Sequence, residues 1–152
     1  ADRLVPDFLR AADLAKVVHI RSPNAVRPWQ HVLEPLSGYI ALAEYLVLNG
    51  SDFAGAWNFG PDQKDTKPVC WLADQLCQMI PGNSWKSDNE AQPHEAGILR
   101  LDSAKAKAGL GWKTRWPLKT ALQKTVDWHQ AWRAGMPMNE ITQNQIFAYQ
   151  AS

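Results

Sequence analysis

No apolar run in this chain of 152 residues approaches the roughly 20 that a membrane-spanning helix needs. No basic block is present either. Lysines and arginines number 16 against 15 carboxylates, for a net charge of +1. That balance argues against nucleic acid or an anionic membrane as a partner. Cys70 and Cys77 are the only cysteines. On one helix they would lie roughly 10 Å apart along the axis, too far for a disulfide. Two buried thiols in a reducing, cytoplasmic setting are expected. His19, His31, His94 and His129 lack zinc-ligand spacing, and no metal is expected. No Gly-x-x-Gly-x-x-Gly follows a strand-like run, so no dinucleotide fingerprint is visible. Tyr39, Tyr45 and Tyr149 have no lysine four residues on.

What is present is a globular composition: 45% hydrophobic, 20% charged, with eight tryptophans suited to a core or a subunit interface. The chain starts Ala1-Asp2-Arg3, with neither an initiator methionine nor a signal pattern. A tag remnant, a processed end, or a start inside a longer protein would each account for this.

Apolar spacing predicts a helix from Asp2 to Ala15, with Leu4, Val5, Phe8, Leu9 and Ala12 on one face. Val17 to Ile20 reads as a strand, Arg21 to Ala25 as a turn, and Gln30 to Leu33 as a second strand. Pro35 opens a helix whose apolar face is Leu36, Tyr39, Ile40, Ala43, Leu46 and Val47, closed by Asn49-Gly50. Ala56 to Phe59 reads as a strand before Gly60-Pro61. Thr66 is a candidate cap for a helix with Pro68 in its first turn, ending at Pro81-Gly82. Ser84 to Lys86 and Ile98 to Leu101 are short strand candidates. Asp102-Ser103 caps a helix that Gly109 ends. Pro117 to Ala134 is the clearest helix, and His129 on its inner face reads as a satisfied core or interface histidine. A weaker helix covers Asn139 to Tyr149, suited to packing on a partner. Helices alternating with short strands place the chain in the α/β or α+β class, as a single unit over residues 1–152.

The most informative stretch runs from Asn24 to Tyr39, with Arg27-Pro28-Trp29-Gln30-His31-Val32-Leu33-Glu34-Pro35 at its centre. Pro28 pushes Arg27 toward extended backbone, and Trp29 can anchor the segment by burying its ring. Arg27 would then be held as a planar fork for phosphate or carboxylate. A surface loop with an ordinary salt bridge is the competing reading. Arg3, at a helix start, sits where backbone N–H groups favour an anion. His31 and Glu34 invite an acid–base reading, but the prolines and Trp29 point to a structural segment that aims Arg27.

That stretch resembles the CDP-glucose 4,6-dehydratase family of extended short-chain dehydrogenase/reductases. So do Asp2-Arg3-Leu4-Val5-Pro6-Asp7, Gly55-Ala56-Trp57-Asn58-Phe59-Gly60-Pro61, Pro93-His94-Glu95-Ala96 and Leu110-Gly111-Trp112. The likeness covers essentially the whole chain, but only the C-terminal half of such an enzyme. It implies a substrate-binding region without a complete Rossmann sheet. The family is an NAD-dependent lyase that converts CDP-glucose to CDP-4-keto-6-deoxyglucose in deoxysugar biosynthesis. Its NAD site and Tyr-x-x-x-Lys pair belong to the other half. The resemblance therefore implies a CDP-sugar as ligand, no cofactor and no catalytic residue on this chain, and inactivity in isolation.

It also implies substrate-binding roles. Arg27 matches a phosphate-gripping arginine, Arg3 a basic residue near the diphosphate, and Glu95 an acidic acceptor for ribose hydroxyls. Asn58 matches a polar nucleotide contact. Gln92 stands where relatives often carry a second phosphate-binding arginine. For each, a helix cap or loop hydrogen bond is the alternative. Two other readings stay open: a non-enzymatic, homodimerising nucleotide-binding module, and part of a related sugar-nucleotide epimerase or decarboxylase.

Overall fold

A computed structural model describes residues 3–88 and 97–152. Helices dominate, and the strands are three residues each. The first helix, α1 (Leu4–Asp13), opens where the Asp7 carboxylate accepts the Arg3 backbone N–H at 3.0 Å. This satisfies one of the donors a helix start leaves open. It buries Phe8 and Leu9 and stops before Ala15, whose φ is 51°. The chain then enters β1 (Val18–Ile20) and, after a turn, β2 (Val26–Pro28).

Next comes α2 (Leu33–Asn49), extended by a short 3-10 turn (Gly50–Phe53). After an irregular stretch, β3 (Thr66–Pro68) leads directly into α3 (Val69–Met79), and β4 (Trp85–Ser87) follows. Three helices complete the described chain: α4 (Ala104–Leu110), α5 (Leu118–Arg133) and α6 (Met138–Gln150).

Two small sheets tie distant segments together. β1 runs parallel to β4, with His19 opposite Lys86, and β2 runs antiparallel to β3, with Arg27 opposite Lys67. A single parallel bridge joins Val26 to Ile98. Phe8, Leu72, Ala73, Leu76, Leu122 and Val126 centre the main core, where α1, α3 and α5 pack over β1. Phe8, Leu72, Leu76 and Val126 have no solvent exposure, and each such side chain contributes about 1.5–3 kcal/mol by leaving water. A second cluster gathers Phe59, Ala106, Leu110 and Trp112 beside α2.

The mixed α/β character and most helices match the sequence pattern, and several details differ for physical reasons. Gln30 to Leu33 forms no strand. The Leu33 N–H donates to His31 Nδ1 at 3.3 Å and the Glu34 N–H to the His31 carbonyl at 3.0 Å, so the chain is already turning into α2. Ala56 to Phe59 forms none either, because its polar groups meet side chains rather than a strand edge. Gln30 Nε2 donates to the Phe59 carbonyl at 2.7 Å, Lys105 Nζ to the Ala56 carbonyl at 3.0 Å, and the Gly60 N–H to Ser103 Oγ at 2.7 Å. Of Ile98 to Leu101, only Ile98 pairs. Thr66 belongs to β3, so Pro68 rather than Thr66 precedes α3. Gly109 lies inside α4, close under Trp57, and Gly111 at φ 62° ends the helix.

The largest difference is on α2. Its expected inward face is exposed, with Tyr39 57%, Ile40 63% and Val47 85% accessible. The buried residues are Glu34 and Gly38. α2 is apolar nearly all round, so spacing alone does not identify its inner side.

Gly38 is buried because the Phe59 ring lies against it. A Cβ there would come 2.2 Å from Phe59 Cδ1. Gly38→Ala should therefore displace Phe59 and lower stability by about 1–3 kcal/mol in urea unfolding. An unchanged midpoint would contradict this packing.

Candidate functional site

A cleft of about 620 Å³ opens where α1, β1 and β2 meet. Arg3, His19, Arg21 and Arg27 all line it, with Asp7 as a carboxylate among them. Net charge on the chain is only +1, so this cationic wall is local rather than a property of the whole surface.

Each of these side chains is positioned by main-chain structure. Arg3 immediately precedes α1, and the Asp7 carboxylate that accepts its N–H also pairs with Arg10. That arrangement holds Asp7 below the usual carboxylate range: burial opposes the shift, and the bonds from Arg10 and the Arg3 N–H outweigh it. Arg27 sits mid-strand in β2, half-buried, with Nη1 donating to the Val26 carbonyl at 3.0 Å. Trp29 Nε1 donates to the Lys67 carbonyl at 2.9 Å, and Lys67 is the residue opposite Arg27 in the sheet. The indole therefore braces the strand pair that carries the guanidinium. His19 Nδ1 and Asp88 Oδ1 lie 2.7 Å apart, so that imidazole already has a carboxylate partner. Arg21 leaves β1 on a turn closed by Ala25 N–H to the Ser22 carbonyl at 3.1 Å.

Of the sequence candidates, Arg3 and Arg27 share this cleft. Asn58 is exposed and does not line it. Glu95, with Gln92 and His94, lies outside the described residues. Arg21 and His19 are additional lining residues that pattern reading passed over as turn and strand. Their only signal is that both flank the end of a strand preceding the Arg-Pro-Trp segment.

His31 and Glu34 are structural. His31 is 8% exposed, packs edge-on against Trp116, and is pushed down to about 4 by burial. Glu34 has no exposure, yet its carboxylate is fully engaged. The Trp116 N–H donates to Oε1 at 2.8 Å, the Arg115 N–H donates at 3.1 and 3.2 Å, and Tyr149 Oη donates to Oε2 at 2.8 Å. Burial, reinforced by the Glu34 carboxylate, pushes the Tyr149 hydroxyl up to about 12. His129 is satisfied by Asp13 Oδ1 at 2.9 Å, as a packed histidine should be.

A second cavity of about 370 Å³ lies on the other side of Trp29, among α3, α5 and α6. Its lining holds no side chain that keeps a charge at neutral pH, so it does not suit a phosphate. Among the described residues no cluster of histidine, cysteine or carboxylate could hold a metal ion. None of the described strands passes through a glycine-rich turn into a helix, since β3 enters α3 directly and β1 leads to β2. No helix among the described residues is long and apolar enough to cross a membrane.

No family model matches the chain. The chain is similar to CDP-glucose 4,6-dehydratase of Salmonella typhimurium strain LT2, with 44% identity over 152 residues, 99% of this chain and 42% of that protein. It thus spans less than half of the relative's length. Its fold is also found in dTDP-glucose 4,6-dehydratase from Bacillus anthracis in complex with NAD, at a TM-score of 0.64 and 16% identity, over 85% of this chain and 39% of that one. UDP-N-acetylglucosamine 4-epimerase from Bacillus cereus matches at a TM-score of 0.62 and 17% identity, over 88% of this chain and 44% of that one. The likeness carried by the Arg27 to Tyr39 stretch and the likeness found over the full chain point to the same dehydratase. The chain shares the fold of those two proteins over most of its length, and the strands among the described residues form two 2-stranded sheets rather than a complete Rossmann sheet.

Two outcomes follow from the buried groups. His31 has a folded pKa near 4 against an ordinary 6.5, so it contributes stability above pH 6.5 that is lost as pH falls toward 4. Unfolding free energy between those pH values should fall less steeply in His31→Gln than in the parent, and equal slopes would contradict a buried neutral imidazole. Tyr149→Phe leaves a buried carboxylate oxygen short of a donor. It should lower stability by about 1–3 kcal/mol in urea unfolding, and a neutral effect would contradict the clamp.

Proposed function

We propose that this chain is the sugar-nucleotide-binding part of a CDP-glucose 4,6-dehydratase-like enzyme, holding the diphosphate of a CDP-sugar between Arg3 and Arg27. The observation that carries the reading is the meeting of these two arginines, from a helix start and from a strand, on one cleft. Charge-assisted bonds from guanidinium to phosphate oxygens are the strongest polar contacts such a cleft can make. The start of α1 adds oriented N–H groups to the same wall. The similarity to the Salmonella dehydratase supplies the nucleotide. In this reading residues 1–152 act as one cytoplasmic binding unit, and Glu95 accepts from the ribose hydroxyls. Asn58 is given no contact in the cleft.

The oxidation, elimination and hydride return of the parent reaction need an NAD site and a Tyr-x-x-x-Lys pair, which this sequence does not contain. The chain alone is therefore inactive, and NAD is bound elsewhere in a complete enzyme. A second reading rests on the exposed apolar side of α2, including Ile40 and Val47. That surface suits self-association, so the chain would act as a dimerising nucleotide-binding module without its own chemistry. Light scattering across a concentration series separates the two: growth to a dimer favours the module, and a constant monomer removes its support.

Calorimetric titration with CDP tests the phosphate grip. Arg27→Ala should weaken CDP about 10- to 100-fold, the loss expected for a charged hydrogen-bond pair, and leave any binding of cytidine unchanged. Unaltered CDP affinity would refute the assignment. Incubation with CDP-glucose and NAD should give no keto-sugar, and turnover by this chain alone would overturn its proposed incompleteness.

A further inference from the structure

The cavity of about 370 Å³ among α3, α5 and α6 takes no part in the nucleotide reading. Its size is that of a small-molecule site, and such sites are mostly apolar with a few fixed polar groups. Leu72, Leu118, Leu122 and Ile146 give the wall its apolar character, and Trp29 and Trp128 add two indoles. No lining side chain is charged at neutral pH, because burial pushes the His31 ring down to about 4. An ion entering the cavity would lose its hydration without meeting a counter-charge, so charged ligands are disfavoured.

The other polar side chains on the wall are bound to neighbours within the protein. Trp29 Nε1 donates to the Lys67 carbonyl at 2.9 Å and Gln30 Nε2 to the Phe59 carbonyl at 2.7 Å. Thr125 Oγ1 donates to the Ala121 carbonyl at 2.9 Å, Trp128 Nε1 to Thr142 Oγ1 at 3.0 Å, and Gln145 Nε2 to the Lys124 carbonyl at 2.7 Å. His31 differs. Its Nδ1 accepts the Leu33 N–H at 3.3 Å, which puts the proton of the neutral ring on Nε2. That N–H meets no acceptor among the described residues. A donor on a side chain only 8% exposed is poorly served by bulk water, and native structures seldom leave one unpaired. The ring is also fixed in place, packed edge-on against Trp116 with centroids 5.0 Å apart.

We infer that this cavity binds an uncharged, largely apolar small molecule whose acceptor oxygen takes the His31 Nε2–H. The apolar wall supplies the area to bury, and the imidazole supplies the polar contact that orients the ligand. Because the ring is held on both Leu33 and Trp116, little is lost in ordering it when the ligand arrives.

The test is an NMR titration of the whole 152-residue chain with acetophenone, ethylbenzene and benzoate. The first two have nearly the same shape, and only the ketone carries an acceptor; benzoate adds a negative charge. The parent should bind acetophenone about 5- to 10-fold more tightly than ethylbenzene, the worth of one net hydrogen bond. Benzoate should bind more weakly than either. His31→Phe keeps a ring against Trp116 and removes the N–H, so it should bring the ketone-to-hydrocarbon ratio close to one. Thr125→Leu fills part of the cavity from a half-buried position on α5 and should abolish binding of both neutral probes. Far-ultraviolet circular dichroism verifies that each variant is folded, and the comparison of probes on the parent needs no variant. Equal affinity of the parent for the ketone and the hydrocarbon, or an unchanged ratio in His31→Phe, would overturn the role of the imidazole. Benzoate binding as tightly as acetophenone would overturn the uncharged class. Undiminished binding in folded Thr125→Leu, or no binding of any probe by the parent, would overturn the site itself. CDP is not among the probes, so these outcomes stand whatever the cationic cleft holds.

Discussion

A carboxylate with no solvent exposure, Glu34, holds the described structure together. Burying a charge costs several kcal/mol unless its lone pairs are filled. Here they are filled by the Arg115 and Trp116 N–H groups and the Tyr149 hydroxyl. The Glu34 carbonyl is engaged too, accepting from Trp112 Nε1 at 3.2 Å and Ser37 Oγ at 2.7 Å. One residue thus joins the start of α2, the segment after α4, and the last helix. Arg115 closes the arrangement by donating from Nη1 to the Tyr149 and Gln150 carbonyls at 3.0 and 2.8 Å, where a helix end favours a cation.

That junction determines where the Arg27 segment can lie. Between Glu34 and Arg27 the chain is held by His31 packed on Trp116, by Gln30 bonded to the Phe59 carbonyl, and by Trp29 bonded to the Lys67 carbonyl. Arg27 is the end of a series of fixed points rather than a free surface cation. The strands themselves are only three residues long and would not be stable alone. β1 is covered by α1, α3 and α5, and β2 is paired with β3, which leads directly into α3. The cleft is therefore tied to the helical core, and Trp29, Trp57, Trp85, Trp112 and Trp128 serve as braces with their N–H groups tied to carbonyl or side-chain acceptors.

Much of this was readable in the sequence where a local rule applies. Apolar spacing marked the helices from Leu4, Val69 and Leu118 to within a few residues, because each has one clear inner face. The Arg-Pro-Trp grammar correctly placed an indole as a brace, since the constraint of Pro28 and the size of Trp29 act on adjacent residues. Features that depend on distant partners were not readable. Glu34 looks like an ordinary first-turn carboxylate, and its donors lie 81 to 115 residues further along the chain. α2 turned its expected face outward because Gly38 accepts the Phe59 ring and Glu34 its donors. The stretch from Ala56 to Phe59 has strand-like residues but meets side chains instead of a sheet edge. Arg21 read as a turn residue, and only the cleft shows that it stands with Arg3 and Arg27.

The central claim is the proposal that Arg3 and Arg27, which line one cleft, together grip a diphosphate. A crystal structure of the chain grown with CDP examines this directly. The account expects phosphate oxygens within hydrogen-bonding distance of both guanidinium groups, inside the cleft between α1 and β2. CDP density elsewhere, or in the cleft with either arginine turned away from the phosphates, would contradict it.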